Sequence, residues 1–186
     1  MVVRAQSSPL TAAEFLALPA DELHTQELID GELILTPSPY IRHQEVSGRL
    51  FYSIFHHLQS HPDGRVFDNV DVVLGELDVV VPDVVFVGRD REEIITRERL
   101  TAAPALVVEV LSSDAARDRK RKRDLYARAG VPEYWIVDPE QDRVEVYRLT
   151  AGENAYPKPE IFASGEHVTT QHIPGLEIDL TWLFRR

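Results

Sequence analysis

Ala105-Leu106-Val107-Val108-Glu109-Val110-Leu111 is an apolar run of strand length interrupted by a single carboxylate. A strand with one wet face alternates apolar and polar residues, so a run apolar in both directions fits a central strand covered on both sides. The next stretch, from about Asp114 to Ala129, reads as a helix that ends at Gly130, a residue suited to the positive φ just past a helix C-terminus. Pro132 to Val137 reads as the next strand, with Asp138-Pro139 as its stop. Strand, helix and strand in that order imply a right-handed crossover and some parallel pairing. The expected fold class is therefore α/β or α+β, with one mixed β-sheet flanked by helices.

Working outward, Glu27-Leu28-Ile29 and Glu32-Leu33-Ile34-Leu35 flank Asp30-Gly31, the turn pair of a two-residue hairpin. From Ile41 to Gln59, Val46, Leu50, Ile54 and Leu58 recur every four residues, which predicts an amphipathic helix. Arg65 to Leu74 and Asp78 to Val87 read as two Val-rich strands, and Arg91 to Leu100 as a short charged helix. Val144 to Leu149 alternates as a strand, and the tail from Lys158 to Asp179 reads as further β structure with a Pro174-Gly175 turn. The expected architecture thus has an N-terminal hairpin and a C-terminal β extension.

The 186 residues include 44% hydrophobic and 27% charged residues, a globular balance that excludes disorder, collagen and coiled coil. Residues 1–186 are expected to form a single domain, since no linker, repeat or low-complexity tract divides them. Cysteine is absent, which removes disulfides, thiolate nucleophiles and Cys-based zinc sites and suits a reducing, cytoplasmic location. Thr11-Ala12-Ala13-Glu14 has the form of a capping box, and its charge argues against a signal peptide. No apolar run reaches the roughly 18 residues of a membrane span, so no membrane association is expected. The net charge of −11 disfavours binding of nucleic acid by bulk electrostatics. Nine glycines form no phosphate-cradling loop.

The chemistry-bearing residues stand where charge is expensive. Glu109 in the central run needs a partner, because an isolated buried carboxylate would shift its pKa or destabilise the fold. An ion pair with Arg or Lys would meet that need, as would a metal or a proton. Asp83, in Val79-Val80-Val81-Pro82-Asp83-Val84-Val85-Phe86-Val87, has the same character, although Pro-Asp is also an ordinary turn signal. Pro82 cannot donate to a ladder, so a strand begins, bulges or lies at an edge there. In the basic helix Arg117-Asp118-Arg119-Lys120-Arg121-Lys122-Arg123-Asp124, one cation differs from the others. Ala115, Asp118, Leu125, Tyr126 and Ala129 project within about 60° of Lys122, which places that Lys on the apolar stripe. It can point inward or snorkel to solvent. Two carboxylates and one Lys brought together are the set a metal-dependent phosphodiesterase needs. Mg²⁺ takes carboxylate oxygens, water and substrate phosphate.

Glu27-Leu28-Ile29-Asp30-Gly31-Glu32-Leu33, Val81-Pro82-Asp83-Val84-Val85-Phe86, Leu106 to Ser112, Lys122 with Leu125-Tyr126-Ala127, and Ala129-Gly130-Val131 through Glu133-Tyr134-Trp135-Ile136-Val137-Asp138-Pro139 together resemble the Uma-type restriction endonuclease family, part of the PD-(D/E)XK nuclease superfamily. The resemblance runs from about Glu14 to Leu149. It implies a restriction-endonuclease-like core and a metal-dependent endonuclease acting on nucleic acid, DNA before RNA. Asp83 and Glu109 would be metal ligands, joined by the carbonyl of Val110. The cofactor would be Mg²⁺, or Mn²⁺ in its place. Two residues after Glu109, where the superfamily pattern has Lys, stands Leu111. The resemblance transfers that role to Lys122. It makes Glu27 an accessory acid, against the alternative of an exposed strand residue, and His43 a phosphate-facing residue, against a surface one. Asp118 has the i,i+4 spacing to pair with Lys122. By analogy with nucleases that cut two strands, a homodimer is the expected assembly. The competing expectation is a catalytically silent module with the same fold that binds nucleic acid or protein. His57 and His61 have metal-ligand spacing but lack the Glu of a zincin.

Overall fold

The computed structural model describes residues 8–112 and 116–186, with the backbone alone described for 116–118. Thr11 accepts the Glu14 N–H while the Glu14 carboxylate accepts the Thr11 N–H, and this capping box opens α1 (Ala12–Leu16). β1 (His24–Ile29) and β2 (Glu32–Pro37) pair antiparallel around Asp30 and Gly31, at φ 53° and 73°. Both signs are those that a tight right-twisting hairpin requires. α2 (Ile41–Leu58) buries His43, Val46, Leu50, Ile54 and Leu58 along one stripe.

Both Val-rich strands are broken. Residues 65–74 do not form one strand: β3 (Gly64–Phe67) and β4 (Val72–Gly75) are separated by a turn with Asn69 at φ 47°. Residues 78–87 divide likewise into β5 (Asp78–Val80) and β6 (Val84–Gly88) on either side of Val81-Pro82-Asp83. Pro82 has no N–H to donate, and the chain leaves one sheet and enters another across it. The helix expected over 91–100 is instead a short 3-10 segment, Arg89–Ile94, after which Ile95 and Leu100 form an antiparallel bridge.

β7 (Leu106–Val110) is the central strand. It is followed by α3 (Ala116–Arg128), β8 (Glu133–Asp138), β9 (Arg143–Arg148), β10 (Glu160–Ala163), β11 (His167–Thr169), β12 (Glu177–Asp179) and α4 (Leu180–Phe184). The expected start of α3 at Asp114 lies outside the described residues. Its end is capped by Gly130 at φ 76°, where the Val131 N–H reaches the Tyr126 carbonyl. The mixed sheet has six strands in the order β10-β9-β8-β7-β6-β3, with β7 parallel to β8 and every other pair antiparallel. The expectation of one sheet is incomplete, because β2-β1-β5-β4 form a second, antiparallel sheet and β11-β12 a small third one.

Both faces of β7 are covered. Leu106, Val108 and Val110 pack with Val46, Leu50 and Ile54 of α2. Val107, on the opposite face, packs with Leu125 and Tyr126 of α3. Alternation therefore turns Glu109 toward α3. The hairpin tip holds that helix: Arg121 donates to the Ile29 carbonyl at 2.5 Å and to Glu32 at 2.9 Å. Arg128 bridges Asp30 at 2.5 Å and Asp78 at 3.1 Å.

Gly31 occupies left-handed backbone, and a side chain there would strike Pro9. Gly31→Ala is expected to lower stability by at least about 1 kcal/mol, the penalty of that conformation for an L-residue. Urea unfolding should show a lower midpoint at unchanged slope.

Candidate active site

Four of the residues singled out in the sequence converge from four elements. Glu27 on β1, buried at 2% exposure, lies with Oε1 3.0 Å from Lys122 Nζ and also accepts the Val81 N–H at 3.0 Å. Lys122, on α3, reaches both carboxylate oxygens of Glu109, at 3.2 and 3.3 Å. Asp83, in the break before β6, accepts the Val110 N–H at 2.7 Å, one residue beyond Glu109. The inward Lys predicted from the helical stripe is found: Lys122 is 8% exposed. Glu27 is not an exposed strand residue but a wall of the same cluster.

Two further side chains complete it. His43 is buried in the first turn of α2, with Nε2 3.3 Å from Asp83 Oδ2, so the expectation of a surface His does not hold. Tyr126 donates its hydroxyl to Glu109 Oε1 at 2.6 Å. Tyr126 lies outside the set that the sequence singles out, though it stands one helical turn after Lys122 on the same stripe, the one hydroxyl-bearing position there. The side chain of Asp118, and hence its pairing with Lys122, lies outside the described residues.

The electrostatics of the cluster are unbalanced. Glu27, Asp83 and Glu109 carry three negative charges when ionised, against Lys122 and, when protonated, His43. Burial above all, with the charges of Asp83 and Glu27, holds the Glu109 carboxyl up at about 8 against the pull of Lys122 and the Tyr126 hydrogen bond. Burial works against protonated His43, yet the hydrogen bond and charge of Asp83 hold it above the ordinary range, aided by the Val110 backbone. Burial, then the adjacent Glu109 charge, raises the Tyr126 phenol.

That surplus of negative oxygen fits a hard dication. Asp83, Glu109 and the Val110 carbonyl are oxygen donors of the kind that Mg²⁺ or Mn²⁺ accepts, and a cation beside Glu109 would offset the repulsion that hinders its ionisation. Among the described residues no group of three or more His, Cys, Asp and Glu side chains is set to hold a metal. A cation here would thus draw on two carboxylates and a carbonyl, with water or phosphate filling the remaining positions. His57 and His61 stack at 4.3 Å, and His57 Nε2 faces the Pro174 carbonyl at 3.1 Å, a contact that ties α2 to the tail.

The basic helix presents less free charge than its sequence suggests. Arg119 pairs with Glu145, Arg121 with Glu32 and Arg128 with Asp30 and Asp78. Beside His43 opens a cavity of about 510 Å³, whose wall includes Tyr40, Ser112, Arg119, Pro139 and Gln141. No helix of the described residues is long and apolar enough to cross a membrane.

A six-stranded mixed sheet with one parallel crossover, flanked by α2 and α3, is a restriction-endonuclease-like α/β fold. The chain belongs to the Uma2 family, described as "Putative restriction endonuclease", which it matches over residues 12–181. A crystal structure from Anabaena variabilis, described as "a putative nuclease belonging to DUF820", superposes with a TM-score of 0.78 over 95% of this chain and 98% of that one. At 24% identity, that likeness establishes the fold. No curated protein matches the chain.

The raised Glu109 pKa makes a prediction for the metal-free protein. With a native pKa near 8 against 4.5 for the free side chain, the native state holds the extra proton between those values. Its contribution to stability is full below about pH 4.5 and is lost as pH rises through about 8. Urea unfolding in EDTA should show wild-type stability falling across that window, by at most about 1.4 kcal/mol per pH unit. Glu109→Gln should flatten the fall.

Proposed function

We propose that this protein is a divalent-metal-dependent endonuclease that hydrolyses phosphodiester bonds in nucleic acid, with DNA the first candidate. The observation that carries the proposal is the meeting of the partly buried Asp83 and Glu109 with the buried Lys122, with Glu27 behind the Lys. Family membership supports the reading.

Asp83, Glu109 and the Val110 carbonyl would hold Mg²⁺, or Mn²⁺ in its place. Such an ion would supply a water of lowered pKa and offset the charge that develops on the phosphoryl oxygens. Lys122 keeps its ammonium between Glu27 and Glu109, a position from which it orients the attacking water and stabilises the pentacovalent phosphate. Glu27 holds that ammonium in place. Tyr126 and Lys122 together hold the Glu109 carboxylate, and the Val110 N–H and His43 both hold Oδ2 of Asp83. Every acid thus has a partner that sets its orientation, as a site that works by positioning requires. A homodimer, pairing two such sites for two strands, extends the same reading.

With Mg²⁺ or Mn²⁺, purified protein is expected to cleave one or more of single-stranded DNA, double-stranded DNA and RNA. Asp83→Ala, Glu109→Ala and Lys122→Ala should each lower the rate by roughly a hundredfold or more, the scale for removing a transition-state stabiliser, and Glu27→Gln by less. Circular dichroism checks that each variant folds. If wild type leaves every substrate intact, or is indistinguishable from Asp83→Ala, the protein is a silent module with a nuclease fold.

A further inference from the structure

The cavity beside His43 has a composition unlike that of a phosphate site. Its two guanidinium groups are already engaged: Arg42 donates to the Phe184 carbonyl at 2.6 Å and lies 3.7 Å from Glu45, and Arg119 pairs with Glu145. Asp138 accepts the N–H groups of Glu140 and Gln141, both at 3.1 Å. Among the described lining residues, what remains is Tyr40, 66% exposed; Leu111 and Pro139, which are apolar; Ser112 and Gln141, which carry a hydroxyl and an amide; and Glu140, an exposed carboxylate. Apolar surface edged by a hydroxyl, an amide and one carboxylate, which can accept from a base's amino group, is the chemistry of a nucleobase. The volume, about 510 Å³, falls within the range of small-ligand sites.

Its position is as informative as its lining. His43 belongs both to the cavity wall and to the Asp83 cluster, and Leu111-Ser112 continue the chain directly from Glu109-Val110. A base seated here would bring its own sugar-phosphate to the carboxylates. A paired base in a duplex is held in the stack and cannot enter a concave site unless it is extruded. The net charge of −11 also gives a duplex backbone little general attraction.

We infer that this cavity binds one unpaired nucleobase, stacked on Tyr40, so that the scissile phosphate selected by the site is one beside an unpaired or extruded nucleotide. This inference rests on the nuclease reading for the location of the chemistry, but base binding itself can be measured without cleavage. Tyr40 acts as a binding and specificity residue, and nothing in its role touches the carboxylates.

The test uses short oligonucleotides carrying 2-aminopurine, whose fluorescence is quenched on stacking, titrated into the full chain in EDTA. The arms are single-stranded DNA, single-stranded RNA and the same DNA annealed to its complement. Wild type should quench the probe and bind a single strand more tightly than the duplex. Tyr40→Ala should weaken single-strand binding about tenfold or more, the scale of losing one base-aromatic stack, while Tyr40→Phe retains it. The DNA and RNA arms identify which sugar the site accepts. Equal affinity of wild type and Tyr40→Ala, equal affinity for single strand and duplex, or no binding in any arm would overturn the inference. Tyr40-dependent binding without Mg²⁺-dependent cleavage would instead sink the nuclease reading and leave the base site standing.

Discussion

The ammonium of Lys122, held between Glu27 and Glu109, is the constraint around which the rest of the structure is arranged. A buried charge stripped of its partner costs about 3–5 kcal/mol, so the three groups must arrive together or not at all. Glu27 comes from the antiparallel sheet, Glu109 from the mixed sheet and Lys122 from the crossover helix. One interaction thus fixes the two sheets and a helix relative to each other. Burial of such a cluster is nevertheless a poor way to gain stability, because apolar side chains of the same volume do as well or better. The charges are explained by what they can do when a polyanion and a cation approach.

Around that contact the supporting structure is redundant. The hairpin tip grips α3 through Arg121 and Arg128, two guanidinium groups on either side of Lys122 in sequence. Their partners are the turn residues Asp30 and Glu32, the Ile29 carbonyl, and Asp78 at the start of β5. The tight turn is therefore more than a connection: its positive-φ geometry presents two acids and a carbonyl to the helix. The break at Pro82 plays the matching part on the other side. By ending β5 before β6 begins, it frees the Val81 N–H for Glu27 and turns Asp83 toward the Val110 N–H, so that a three-residue break serves both acids.

Much of this is visible in the sequence because it is local. The continuous apolar run around Glu109, the Asp30-Gly31 turn, the four-residue spacing in α2 and the Lys on an apolar stripe each follow from a single element's periodicity, and each is found in the fold. The breaks within 65–74 and 78–87 are not visible in the same way. Val-rich segments on both sides of Asn69 and Pro82 look alike, and what separates them is the sheet each joins, a choice made by residues far away in the chain. His43 is the instructive intermediate case. It sits three residues before Val46 and seven before Leu50, in phase with the buried stripe, so its burial was legible; its partner Asp83, 40 residues on, was not.

Charge shows most clearly how tertiary pairing alters a sequence-level argument. Residues 117–124 carry six basic side chains, which suggests a cationic face adjoining the site. In the fold, Lys122 faces inward, Arg119 is matched by Glu145 and Arg121 by Glu32, so the helix projects far less field than its composition implies. Among the described side chains of that helix most of the positive charge is thus paired, so the overall −11 is offset little there and long-range attraction to nucleic acid is weak. Selectivity under the proposed reading must come from contacts made only at close range, where a cation between carboxylates meets a phosphate and an aromatic surface meets a base. Such contacts depend on the local shape of the nucleic acid more than on its charge density, so they favour sites where the strand is already distorted or unpaired over the regular duplex.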